Sequence, residues 1–342
     1  MENKLIEILN SGIILNIDND NLVIKGNQNL ITQDIINFLK VNKKKIMCYL
    51  ENSLNMDNPA KSLSSKVNIM NNNIIKLKDN NVDNSLFLIH PIGGSVSCYY
   101  PLVDKLPSDF SIYAIQSNSI ADTRKPLDSI EDLVNYYKSL ILSIQPSGPY
   151  YLAGWSFGGI IAYSLAYELM KIHMEVKFVC LIDAMFCWGR EESLVNTDFL
   201  INLFICDLFG HKEFSKNNLT KKNSTNENEK LLQAYEYCLE NSLFDSQINL
   251  EVFSRLFVIF KSHNKAHIEF NPKPYDSPIY HIIADQKSEQ TDKSIELWGS
   301  LTYNQQTLRV TNGNHYSIFS KNNIDSLAYE FSNVWKHAVR TV

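Results

Sequence analysis

The sequence has no CxxC pair, no long apolar run and no excess of positive charge, and each absence removes a class of function. Its six cysteines (Cys48, Cys98, Cys180, Cys187, Cys206 and Cys238) stand singly along 342 residues. That spacing argues against a structural zinc site or a disulfide framework, and it fits reduced thiols in a cytoplasmic protein. The formal charge is -5, so no basic stripe recommends nucleic acid as a partner. No stretch of about 18 apolar residues occurs, which removes a membrane-spanning helix. Met1-Glu2-Asn3-Lys4 leads straight into an amphipathic pattern, so no secretory signal peptide is expected. HExxH, Walker A and GxGxxG elements are missing as well, and neither a metal nor a bound cofactor is expected.

What is present is an ordinary apolar fraction of 44%, enough for a substantial core. Its distribution suggests one small unit and one large one. In residues 1–52, Leu5, Ile6, Ile8 and Leu9 form an apolar face ended by Gly12. Ile13 to Ile17 and Leu22 to Ile24 are β-rich runs around the polar cluster Asp18-Asn19-Asp20-Asn21, which suits a hairpin. Thr32 offers an N-cap with Asp34 in the first turn, and Ile35, Ile36, Leu39, Ile46 and Leu50 continue a helical stripe. The order is helix, strand, strand, helix, a small α+β unit. Residues 53–72, dominated by Ser, Asn, Lys and Pro, read as a flexible linker too short for a carrier-protein domain.

From residue 73 to 342 apolar strands alternate with amphipathic helices, the pattern of an α/β domain with a parallel sheet covered on both faces. Strands are expected at 74–77, 86–89, 111–115, 150–153, 177–182, 279–284 and 307–310. Helices are expected at 129–142, 157–172 and 323–338. The span 190–275, with helical patterns at 195–209, 228–243 and 250–262 and a polar stretch from Ser215 to Asn228, reads as a helical lid inserted between two strands.

Three segments carry chemistry. Gly154-Trp155-Ser156-Phe157-Gly158 matches GxSxG between a strand and a helix, where a nucleophile sits in a sharp turn that leaves no room for side chains two residues away. His90-Pro91-Ile92-Gly93-Gly94 follows an apolar strand, the place from which a second oxyanion donor is supplied, so the Ile92 and Phe157 N–H groups are the candidate oxyanion hole. His90 itself stands in the wrong chain order for the base and reads as a structural histidine. Gly313-Asn314-His315-Tyr316 lies in a polar loop after the last strand, which makes His315 the candidate base; His263, His267, His281 and His337 occupy poorer positions. For the acid, Asp183 and Asp285 both end strands, and position does not choose between them.

These segments fall in the order shown by the type I thioesterase domains that terminate nonribosomal peptide and polyketide synthases, which the chain resembles from about residue 73 to 342. Leu86 to Gly94 followed by Tyr99, Tyr113-Ala114-Ile115-Gln116, Gly154 to Gly159, Leu181-Ile182-Asp183 and Gly313-Asn314-His315 carry the likeness. It departs at Ser164, where a bulkier residue is usual, and at His173-Met174 in place of a Gly turn. The resemblance implies an α/β-hydrolase fold, an acid after the strand that precedes the lid (hence Asp183), and release of an acyl or peptidyl chain through a Ser156 acyl-enzyme, by hydrolysis or macrocyclisation. Residues 1–52 resemble a TubC-type docking domain, which implies capture of the C-terminal tail of an upstream synthetase subunit. Lys40, Lys43, Lys44 and Lys45 would attract an acidic tail or simply face solvent. The substrate would then arrive on the phosphopantetheine arm of another protein's carrier domain. A proofreading thioesterase, a general esterase and a non-catalytic scaffold are the rival expectations.

Overall fold

The computed structural model describes residues 14–18, 21–25, 32–43, 46, 73–82, 84–120, 124–187, 191–210, 226–243, 248–288, 290–303 and 306–340. The chain divides into two units, Met1–Met70 and Asn71–Val342. In the first, β1 (Ile14–Asp18) and β2 (Asn21–Lys25) pair antiparallel, with Ile14 opposite Lys25 and Asp18 opposite Asn21. Helix α1 (Gln33–Val41) follows. Thr32 Oγ1 accepts the Ile35 N–H at 3.4 Å, Asp34 lies in the first turn, and Leu39 is buried. The helix expected at Leu5–Leu9 with its Gly12 stop, residues 53–72, and Lys44, Lys45 and Leu50 lie outside the described residues.

The second unit is built on a seven-stranded sheet of β3 (Ile74–Lys78), β4 (Ser85–Ile89), β5 (Ser111–Ile115), β6 (Tyr150–Trp155), β7 (Val176–Ile182), β8 (Ile279–Ala284) and β9 (Gln306–Thr311). The strand order is β3-β5-β4-β6-β7-β8-β9. All neighbours are parallel except β3, which runs antiparallel to β5. The all-parallel expectation fails at this edge for a simple reason: only the short turn at 79–84 separates β3 from β4, and a parallel return needs a longer crossover. Away from the two edge strands, β4 and β8 are buried along their whole length, as strands covered on both faces must be.

The two-residue period of the strands divides the apolar side chains between two cores. Phe87, Ile89, Leu152, Val179, Leu181 and Ile279 pack on one face with α3 (Ile130–Ile144) and α4 (Phe157–Lys171). Leu86, Leu88, Ala153, Phe178, Cys180 and Ile182 face the other way, against Leu327, Phe331 and Trp335 of the closing helix at Ile324–Arg340. Ser129 caps α3, its Oγ accepting the Asp132 N–H at 3.1 Å. After His90, a short helix α2 (Tyr100–Val103) adds Leu102 and Val103 to the second core.

Three helices, α5 (Thr197–Phe209), α6 (Glu227–Glu240) and α7 (Leu250–Ile268), occupy the insertion between β7 and β8. Asn196, Asn226 and Asn249 cap them by accepting N–H groups of their first turns. Helix α7 outruns its apolar stripe, which ends near residue 262, because its buried face continues with His263, Asn264 and His267. Helix α8 (Thr291–Ser300) has no counterpart in the sequence reading for the same reason. Thr291 and Ser294 occupy its buried face beside Trp298, and the Ser294 hydroxyl accepts the Phe186 N–H at 3.1 Å. The closing helix is therefore α9 (Ile324–Arg340). Among the described residues, no helix is long and apolar enough to cross a membrane.

Helix α4 lies so close to β4 that a Cβ on Gly158 would stand 2.2 Å from the Ile89 carbonyl oxygen. Gly158→Ala is therefore expected to destabilise the domain by about 1–3 kcal/mol. Gly93→Ala, which meets only the Asp207 side chain at 3.6 Å, should stay within about 0.5 kcal/mol. Urea unfolding of both variants checks the difference.

Candidate active site

Between β6 and α4 the chain turns on a single residue. Ser156 has φ 56° and ψ -125°, a conformation that L residues occupy only when their surroundings hold them there. The hold is visible. Ser156 N–H donates to the Ile182 carbonyl at 2.9 Å, and Gly154 and Gly158 approach so closely that a Cβ on Gly154 would stand 2.2 Å from the Gly158 carbonyl. Phe157 is the first residue of α4, so its N–H has no partner within the helix.

Three strands away, the loop after β9 brings His315 to this turn. Its Nε2 lies 3.0 Å from Ser156 Oγ and its Nδ1 2.7 Å from Asp183 Oδ2. The loop is wound tightly by Asn314, whose Oδ1 accepts the N–H groups of Tyr316 and Ser317, while Ser317 Oγ accepts the Asn314 N–H. Asp183, one residue beyond β7, is buried and has φ 43°. Its second carboxylate oxygen accepts the Ala284 N–H at 2.9 Å, so both oxygens are engaged.

Asp285, the other candidate acid, does not reach the imidazole. It is exposed, and its Oδ1 accepts the Gly313 N–H at 2.8 Å while its own N–H donates to the Thr311 carbonyl. Its place is at the base of the loop that carries His315. The arrangement thus joins Ser156, His315 and Asp183 into one hydrogen-bonded chain and leaves Asp285 outside it.

The segment His90 to Gly94 passes beside Ser156's helix. His90 is fully buried; its Nε2 lies 2.6 Å from the Tyr137 hydroxyl and its Nδ1 2.6 Å from the Pro91 carbonyl. Both ring nitrogens are thus engaged away from Ser156, and His90 has no part in the chain of three. Ile92 is buried, and its carbonyl accepts from His263 Nδ1 at 2.7 Å.

With this geometry in place, comparison with known proteins gives a family. The model for the thioesterase domain matches residues 84–333. The chain belongs to the thioesterase domain family. It is 34% identical to the dimodular nonribosomal peptide synthase of Bacillus subtilis over 99 residues, which are 29% of this chain and 4% of that one. It is 31% identical to the polyketide synthase PksR of the same organism over 146 residues, 42% of this chain and 6% of that one. The chain therefore spans only a small part of the length of these curated relatives. A solved four-domain nonribosomal peptide synthetase, in its holo form with AMP and glycine, superposes with a TM-score of 0.69 at 25% identity, covering 79% of this chain and 21% of that one. Membership of the family implies a hydrolase acting on thioesters.

The thioesterase domain contains groups that the sequence reading did not assign. Tyr99, quoted only as part of a pattern, is a fully buried clamp. Its hydroxyl donates to the Ile89 carbonyl at 2.6 Å and accepts the Trp155 N–H at 2.8 Å, tying the ends of β4 and β6 together. Trp155 in turn packs on the imidazole, with ring centroids of Trp155 and His315 5.3 Å apart. His263, set aside as a poorly placed histidine, reaches the loop after β4 at Ile92. Only its spacing on the buried face of α7, with Phe260 and His267, could have marked it. Among the described residues no group of three His, Cys, Asp or Glu side chains is placed to hold a metal ion.

Electrostatics follow the burial. Desolvation on its own would favour the protonated acid at Asp183, yet the hydrogen bond and charge of His315 and the Ala284 N–H hold the carboxyl below its ordinary 3.8. Burial pushes His90 down to about 3, helped by His263, and pushes His263 and His281 down to about 4. All three rings are neutral in the folded domain at neutral pH. The unfolded chain protonates these rings near 6.5, so it binds more protons than the native state below that pH. Stability is therefore expected to be full above pH 6.5 and to fall steadily towards pH 4. Asp183 adds a further loss below 3.8, as pH drops through its lowered folded value. Melting temperatures followed from pH 8 to pH 4 check this; a flat profile between 7 and 5 would contradict it.

Proposed function

We propose that this chain is a serine thioesterase that releases an acyl or peptidyl chain from a carrier protein of a nonribosomal peptide or polyketide assembly line. The observation that carries the reading is the continuous contact from Ser156 Oγ through His315 to a buried, doubly hydrogen-bonded Asp183. In this reading Ser156 attacks the thioester carbonyl while His315 Nε2 takes its proton. Asp183 holds the Nδ1–H tautomer and stabilises the imidazolium, and the Ile92 and Phe157 N–H groups receive the tetrahedral oxyanion. The pantetheine thiolate leaves with the proton returned by His315. Water, or a nucleophile within the bound chain, then attacks the acyl-enzyme and gives a linear acid or a macrocycle.

The insertion acts as a lid over this centre. Its α5 approaches both halves of the site: Asp207 lies near Gly93, and Gly210 lies near Tyr316, beside His315. A cover so placed would keep bulk water from the acyl-enzyme. The substrate is presented on the phosphopantetheine arm of a partner's carrier domain, and the protein itself needs no cofactor.

For residues 1–52 we propose a TubC-like docking role. β1 and β2 form a two-stranded sheet, so strand addition by a peptide tail is physically open. Residues 53–72 then form the tether to the catalytic domain at 73–342. Binding the tail of an upstream subunit raises the local concentration of its carrier near Ser156 without improving the site itself.

Fluorophosphonate labelling tests the chemistry. The probe should modify the wild-type chain at Ser156 and leave Ser156→Ala unmodified. Asp183→Asn should reduce kcat for a small thioester by on the order of 10³–10⁴ through loss of the imidazole tautomer, whereas Asp285→Asn should cost less than about tenfold. Comparable losses at Asp183 and Asp285 would remove the assignment of the acid. Removing residues 1–52 should leave turnover of a small thioester unchanged and slow release from the carrier-bound substrate of the intact assembly line. Equal loss of both activities would remove the docking role.

A further inference from the structure

The oxyanion donors are backbone N–H groups, so their direction is set by whatever fixes the peptide planes around them. Ile92 N–H belongs to the Pro91–Ile92 peptide. The carbonyl of that peptide accepts the Gly94 N–H at 2.9 Å and lies 2.6 Å from His90 Nδ1. Because the peptide is planar, anchoring its oxygen also fixes the line of its N–H. The next peptide is anchored too: the Ile92 carbonyl accepts from His263 Nδ1 at 2.7 Å. An acceptor there requires the proton on Nδ1, leaving Nε2 bare, 3.4 Å from the Ser117 hydroxyl. Ser117 closes the circuit, its N–H donating to the Gly94 carbonyl at 2.9 Å.

His263 also touches the other donor. Its ring stacks on Phe157, centroids 5.4 Å apart and planes 22° from parallel, and on His90 at 4.9 Å and 24°. One buried imidazole thus contacts both residues whose N–H groups form the candidate oxyanion hole. It belongs to neither the nucleophile turn nor the loop after β4. It comes from α7, the last helix of the insertion. One turn earlier on α7, Ile259 presses on the same loop, so closely that a Cβ on Gly94 would lie 2.9 Å from Ile259 Cγ2.

We propose that His263 is a positioning residue that couples the seating of α7 to the alignment of both oxyanion donors, so that the insertion completes the hole as well as covering it. The inference rests on the functional reading above and adds to it a dependence of the chemical step on the insertion. Displacing α7 would break the hydrogen bond to Ile92 and open the stack on Phe157 together. Tight seating of the helix, for example by a bound acyl chain or carrier, would restore both.

The test separates donation from packing. His263→Phe keeps an aromatic ring for the stack and removes the donor; His263→Asn places an amide N–H near the position of Nδ1 and loses the ring. For a small thioester, His263→Phe should lower kcat by about 10–100-fold, a fraction of what loss of an entire oxyanion donor costs, with KM changed by less than about threefold. Affinity for phenylboronic acid, whose adduct with Ser156 is tetrahedral and places an oxygen where the oxyanion would form, should fall by a similar factor. His263→Asn should recover much of both losses. Wild-type kcat in His263→Phe, a loss confined to KM, or an asparagine variant no better than phenylalanine would each overturn the proposal. Should His263→Phe not fold, His263→Leu takes its place as the variant without a donor: a comparable loss of kcat at constant KM is expected, and wild-type kcat overturns the proposal. A wild-type chain that neither turns over thioesters nor reacts with fluorophosphonate would bring down the functional reading and this inference with it. An active wild type with an indifferent His263→Phe would bring down this inference only.

Discussion

The hydrogen bond between Asp183 and His315 is the contact on which the rest of the centre depends. A carboxylate buried at the end of a strand is costly unless its charge is met. Here one oxygen takes the Ala284 N–H and the other takes the imidazole N–H. Both partners are needed, and together they place the ring with Nε2 towards Ser156 Oγ. The same pairing that removes an energetic penalty therefore selects the tautomer and the orientation that the proposed base requires. Asp285 shows the contrast. Exposed to solvent, it tolerates a looser task and stabilises the loop through Gly313.

The parallel sheet makes this convergence possible by continuing its hydrogen-bond pattern one step beyond the strands. Ser156 follows β6 and donates to Ile182 of β7; Asp183 follows β7 and donates to Ile282 of β8; Asp285 follows β8 and donates to Thr311 of β9. On the other side His90 follows β4 and donates to Ile115 of β5. Each loop residue at the carboxyl edge is thus fixed by its neighbour strand before any side chain is considered. That external hold is what allows Ser156 and Asp183 to keep positive φ angles, which an unsupported L residue would relax.

Much of this was legible in the sequence because it rests on local rules. Apolar runs such as Leu86 to Ile89 and Phe178 to Ile182 mark strands, and a serine flanked by two glycines after one of them marks a sharp turn. Chain order placed His315 beyond the last strand, while the choice between Asp183 and Asp285 needed either a family resemblance or coordinates, since both end strands. The illegible parts share a cause. Helix α8 and the end of α7 bury Thr291, Ser294, His263 and His267, and a periodicity search for apolar residues passes over polar groups whose hydrogen bonds are satisfied by distant segments. Ser294 is matched by Phe186, His263 by Ile92 and His267 by Met185. These partners lie far away in the chain, and no local pattern announces them. The antiparallel edge strand β3 is a different case, since it followed from a turn length that the sequence did show.

The buried histidines bring the two halves of the centre under one physical logic. At Asp183 a desolvated charge is made tolerable by an imidazole; beside the loop after β4, desolvated imidazoles stay neutral and serve as rigid donors to backbone carbonyls. In the mechanism we propose, a neutral ring between Ile92 and Phe157 adds no net charge beside the forming oxyanion, and the hole would work through aligned dipoles whose position is set in advance. A lysine or arginine at His263 would reach the same carbonyl but would need a counter-charge in a fully buried position. A serine would be too short to stack on Phe157. Imidazole supplies a donor, a flat face and neutrality together, and it does so from the insertion helix, so on the coupling we propose the insertion and the chemistry of this centre are not separable parts.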